Sequence, residues 1–325
     1  MQPASVTGIG AWPGIDVHEA AVVMRDSCSG ILHLPELPER GPGADMIGRT
    51  MGMVSAVVDD FAVETVPNGW RLTSARGRDM RRADSHFGED LDTIEKVCEG
   101  YDGDFKIQFM GPWTLAASVE DRAGERILRD VGAVRDLTQA LRHTIAVNVA
   151  EVSRRLPQAR IIVQIDEPYV VDVLRGSVKT QSKWSAYSPV EEVVVEDALR
   201  TVRETHHGVT VLHCCAEEYP FGIVRNAGFS APSWDVALVG SQANDFIGEN
   251  IDAGGFVVLG FEPTSIRAGV ESVVSLGNRV GYHGKEWNSK IVLTPPCDLI
   301  NMSLSQARVR IETLNKVAME LREGE

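Results

Sequence analysis

The stretch "IIVQIDEP" (residues 161–168) starts as a run of β-branched residues and ends on two carboxylates and a proline. The run is too short for a buried helix and does not alternate polar with apolar. It stops just before a proline, where helical backbone is disfavoured. A strand covered on both faces has that signature, and such strands belong to parallel sheets. The same design occurs seven more times, in "VTGIGAWPG", "ILHLPELPERG", "FKIQFMGPW", "VTVLHCC", "WDVALVG", "FVVLGFEP" and "IVLTPPCD". Helical patterns lie between them. Val134, Leu137, Leu141, Ile145, Val149, Val152 and Leu156 fall at every third or fourth position, as do Leu304, Ala307, Ile311, Leu314, Val317, Ala318 and Leu321. Eight strands alternating with helices predict an α/β fold, a (β/α)8 or TIM barrel filling residues 1–325 as a single domain. A doubly wound open sheet is the alternative. From about residue 60 to 104 the pattern is less regular, and "WRLTSARG" (residues 70–77) reads as part of a small inserted hairpin arm.

Composition narrows the partners. Apolar residues make up 43% of the chain and charged residues 24%, enough to bury a large core. A formal charge of −14 argues against nucleic acid, which calls for a basic face. No apolar run approaches the ~20 residues a membrane span needs. The first residues lack the basic and apolar regions of a secretory signal, and the five cysteines are an odd, sparse set. The expected location is cytoplasmic.

In such a barrel, chemistry gathers at the C-terminal ends of the strands. The residues closing the runs are Trp12, Glu36, Trp113, Asp166, Glu167, His213, Cys215, Asp235, Glu262 and Cys297. His213 and Cys215 are two apart, so in extended backbone they point the same way and Cys214 points the other. With Cys297 they offer one imidazole and two thiolates, the donor set of a catalytic zinc with an open fourth position. Spacing alone fits equally well a buried histidine among small structural cysteines. Asp166 and Glu167 suit an ammonium partner or a proton acceptor; the plainer reading is a loop cap or an arginine pair.

In this order, "TGIGAWPG", "GPWT", "QIDEP", "HCC" and "TPPCDL" resemble the catalytic barrel of the cobalamin-independent methionine synthase family. The resemblance runs nearly end to end and is to a short, single-barrel form, in a superfamily that also holds uroporphyrinogen decarboxylase. It implies zinc bound by His213, Cys215 and Cys297, with Asp298 where the family has glycine. The family's glutamate ligand would fall near Gly240, which cannot ligate, and that leaves either Asp235 or Glu262 as substitute or a site of three protein ligands and a solvent. The resemblance assigns the substrate amine to Asp166, with Glu167 beside it as a second candidate, and the amino-acid carboxylate to Ile9, Gly10 and Ala11. Glu262 stands where a proton-donating histidine is expected, and Gly48 where a second amine-binding glutamate would be. The implied activity is methyl transfer to a small thiol, homocysteine giving methionine, from methylfolate or methylcobalamin, the latter free or on a corrinoid protein. Trp12, Trp113 and Trp184 are candidates to stack on such a donor. Two other readings follow from the departures: a corrinoid-dependent methyltransferase acting on another thiol, and a silent barrel that binds a small molecule.

Overall fold

Each of the eight apolar runs forms or adjoins a parallel strand. The computed structural model describes residues 2–323. Its strands are β1 (Ser5–Val6), β2 (Ile31–His33), β3 (Val63–Val66), β4 (Gly69–Leu72), β5 (Asp104–Met110), β6 (Val119–Glu120), β7 (Arg160–Asp166), β8 (Thr210–His213), β9 (Ala231–Asp235), β10 (Val257–Gly260) and β11 (Ile291–Thr294). Eight of them make one sheet in the order β1-β11-β10-β9-β8-β7-β5-β2, every pair parallel. A parallel bridge between Val6 and Gly30 brings its two edges together. The fold is a (β/α)8 TIM barrel.

Strand alternation explains why these runs are apolar throughout. One face of β5 and β7, with Phe105, Ile107, Phe109, Val163 and Ile165, packs under the surrounding helices in the main core. The other face carries a separate cluster of Ile31, Ile162, Val211, Ala231, Val258 and Val292. Residues of six different strands can touch one another only inside the barrel, so this cluster fills its lower interior. The predicted helices are Val131–Arg155 and Leu304–Glu323. Asp130 starts the first by accepting the N–H groups of Gly132 and Ala133 at 2.8 and 3.1 Å.

Two boundaries differ from the sequence reading. The hairpin is confined to β3 and β4, extended by β6, whereas Arg78–Val97 is a helix lying on helices Val17–Ser27 and Met46–Val57. Its buried Met80, Ala83, Leu91 and Ile94 were obscured by the many charges between them. β9 ends at Asp235, so most of "WDVALVG" follows the strand rather than forming it. Pro232, which lacks an N–H and reads as a strand breaker, hid the true segment.

Candidate metal centre

β8 delivers His213 to the C-terminal mouth of the barrel, and β11 delivers Cys297 three residues beyond its end. One ligand atom from each of His213, Cys215 and Cys297 lies within 4.8 Å of the other two. Cys214 is fully buried on the opposite side, where burial pushes its thiol up to about 12. The two-residue spacing therefore separates one sulfur that faces the mouth from one that packs.

His213 is pre-oriented. Its Nδ1 lies 3.0 Å from Ser233 Oγ on the paired strand β9, with His213 and Ser233 in register. Its Nε2 is buried and has no hydrogen-bond partner. A neutral imidazole donating from Nδ1 to Ser233 presents a bare lone pair at Nε2, which is what a metal requires. A buried polar atom left without a partner is costly unless something outside the chain satisfies it. The sulfurs behave as a pair: a hydrogen bond from Cys297 holds Cys215 below the ordinary thiol range, and the same bond, with burial, raises Cys297. A metal would take the place of that shared proton. At about 2.3 Å from sulfur and 2.0–2.1 Å from nitrogen, a zinc ion reaches all three groups with small side-chain movements. The donor set fits.

The cluster contains neither of the expected fourth ligands. Asp235 ends β9 on the same side as Ser233, but its Oδ1 accepts the N–H of Ala237 at 2.8 Å, closing a turn. Glu262 is 58% exposed and ion-paired with Arg310 on the terminal helix. An arginine beside it, invisible in the local sequence, draws it away from the three ligands.

Beside the cluster, Asp166 ends β7, buried and in register with His213 on the neighbouring strand. Burial raises its carboxyl, while His213, Lys106 and a 2.7 Å bond from Gln164 Nε2 oppose that rise. Ile9, Gly10 and Ala11 cross the mouth beside it. Ile9 O accepts from both Lys106 Nζ and Gln164 Nε2, and Ala11 O accepts the N–H of Leu299, tying this segment to the Cys297 loop. A Cβ on Gly10 would stand 2.6 Å from Gln108 Nε2 and would displace that amide from Leu34 O.

Glu167 is used differently. Its carboxylate accepts the N–H groups of Trp113 and Thr114 and the Thr114 hydroxyl, at 2.9, 2.7 and 2.6 Å. It thus caps the short helix Pro112–Ser118, so tightly that a Cβ on Gly111 would lie 2.1 Å from Oε1. Trp12 and Trp113 are also structural. Their indoles are buried and donate to His33 Nε2 and Val195 O, while Trp184 is 96% exposed. Sequence reasoning missed Ser233 and Lys106. The available signal was a polar residue on the inward face of an apolar strand.

The fold has a distant counterpart. The chain is similar in structure to a B12-independent methionine synthase. That protein, from Shewanella sp. W3-18-1 and in complex with selenomethionine, matches at 13% identity over 99% of both chains, with a TM-score of 0.64. Two other barrels are less similar. They are a putative dihydrodipicolinate synthetase from Pseudomonas aeruginosa (10% identity, 100% and 78% of the chains, TM-score 0.45) and a type I 3-dehydroquinate dehydratase from Clostridium difficile (11%, 100% and 94%, 0.43). No family model and no curated protein matches the sequence. Among the described residues, no helix is long and apolar enough to cross a membrane.

Proposed function

We propose that this barrel is a zinc-dependent S-methyltransferase whose acceptor is a small amino-acid thiol, homocysteine first. The observation that carries the reading is the convergence of His213, Cys215 and Cys297 on one point, with His213 Nε2 buried and unsatisfied. Zinc bound there would supply the Lewis acidity that keeps a thiol deprotonated at neutral pH. His213, Cys215 and Cys297 would hold it. The likeness to a methionine synthase over the whole chain agrees with this assignment.

The chain's own groups account for the rest of the substrate. Asp166, held by Gln164, receives the ammonium. The N–H groups of Gly10 and Ala11, which no described residue accepts, suit the carboxylate. Burial of Ile9, Ala11 and Asp166 excludes water around the reacting sulfur. The thiol gives up its S–H proton, the sulfur's lone pair forms the new S–CH3 bond, and the donor's bond to methyl breaks with its electron pair staying on the donor.

Zinc analysis of the purified protein and of His213→Ala and Cys297→Ser tests the centre. One ion per chain is expected in the parent and a marked loss in each variant, and equal contents would sink the reading. Turnover of homocysteine with methylfolate against methylcobalamin then assigns the donor. A preference for another thiol with methylcobalamin would move the protein to the corrinoid-dependent class.

A further inference from the structure

Of the chain's seven lysines only Lys106 is buried. It is the third residue of β5, between Phe105 and Ile107, and its side chain enters the barrel. All three of its donors are used inside: Nζ lies 2.7 Å from Gly8 O, 2.8 Å from Ile9 O and 2.5 Å from Gln164 Oε1. An ammonium only donates, so its bond to Gln164 decides which end of that amide faces it. The amide NH2 must then face the other way, where it meets Ile9 O at 2.9 Å and Asp166 Oδ1 at 2.7 Å.

We propose that Lys106 is a positioning residue for the ammonium end of the site, acting through Gln164 to hold the Asp166 carboxylate at the mouth. This rests on the reading of Asp166 as the amine-binding group. A methionine or leucine at 106 would leave Gly8 O and the Gln164 amide oxygen without a donor and Ile9 O with one donor in place of two, and the Gln164 amide would be free to turn over. Asp166 would then lose both its hydrogen bond and a buried cation that favours its charged form. The charges around Lys106 support a coupled unit. Asp166 on β7, Glu36 beyond β2 and Cys28 before it favour the ammonium, and burial opposes it more strongly, bringing Lys106 down to about 8. The same ammonium helps keep the buried His33 of β2 neutral.

Seven lysines make the proposal accessible to NMR of the full chain labelled at lysine Cε. The Lys106 signal is the one lost in Lys106→Met or, if that variant does not fold, in Lys106→Arg. Its titration midpoint should lie below the other six, and Asp166→Asn should lower it further, by about half a pH unit or more. An unmoved midpoint overturns the coupling. Calorimetry of the zinc-loaded protein with L-methionine and its deaminated analogue, 4-(methylthio)butanoate, supplies the second test. Lys106→Met and Gln164→Leu should each weaken L-methionine about tenfold and leave the analogue unchanged. Equal weakening of both ligands would show a merely structural lysine. If the parent protein binds neither ligand, the amino-acid reading falls, while the titration still decides whether Lys106 and Asp166 are coupled.

Discussion

The lower and upper halves of the barrel interior are built by the same strands and have opposite chemistry. On β7 the inward face reads Ile162, Gln164, Asp166 from bottom to top; on β8 it reads Val211, His213; on β2, Ile31, His33. The lower layer holds the apolar cluster, stabilised by close packing, with Ser5 of β1 and Asp104 of β5 in register with its Val292 and Ile31. The upper layer is buried too, but each polar group there must be matched. Lys106, Gln164 and Asp166 are matched by one another and by backbone, Ser233 by His213, and His33 by the Trp12 indole. Gln108 Oε1 and His213 Nε2 are the inward groups left over. The contrast separates burial that stabilises the fold from burial that prepares a site, and it identifies His213 as the place where something outside the chain completes the set.

Removing a ligand from the upper layer should give the largest effect. His213→Ala and Cys297→Ser are expected to lower zinc affinity roughly a thousandfold each, read by competition with a chromophoric chelator, with little change in the apo-protein's melting temperature. A loss of less than about tenfold would mean that these groups do not share an ion.

The lower layer should respond in the opposite sense. Ile162→Ala removes a side chain that is 2% exposed, and is expected to cost about 2–5 kcal/mol of unfolding free energy by denaturant titration. Zinc affinity in the surviving folded protein should be unchanged. A matching fall in affinity would erase the distinction between the two layers.

This division also explains what the sequence could and could not reveal. The lower layer and the outward faces are what make each strand read as an unbroken Val/Ile/Leu run, so eight strands and the barrel were legible from periodicity. His213, Cys215 and Cys297 were legible because thiols and imidazole are rare and sat at strand ends. Ser233 was not, because serine is common and its meaning lies in register with a residue twenty positions earlier. The partners of Glu167 and Glu262 were not legible for a similar reason. A helix N-terminus and an arginine 48 residues away determine what those carboxylates do, and neither is visible locally.

Ser233→Ala probes the boundary between the layers, since its hydroxyl orients a ligand without touching the ion. Outer partners of this kind are typically worth about ten- to a hundredfold in metal affinity. Affinity should fall in that range, while Ser233→Thr, which keeps the hydroxyl, should retain most of it. An unchanged affinity in the alanine variant would mean that packing alone fixes the imidazole.

The smallest effect is expected outside both layers. Glu262 closes an apolar strand at the position where a proton donor was anticipated, but it is mostly solvated and paired with Arg310. An exposed ion pair contributes about 0.2–1 kcal/mol. Glu262→Ala should therefore shift stability by less than about 1 kcal/mol and leave zinc affinity, L-methionine binding and turnover within about twofold of the parent. Arg310→Ala distinguishes a resting contact from a latched one. If Glu262 is a proton donor held in reserve by Arg310, freeing it should raise turnover in the parent background and have no effect in Glu262→Ala. Two inert single variants would establish that this carboxylate belongs to the outer surface, and that the mouth works with Asp166 as its acidic group.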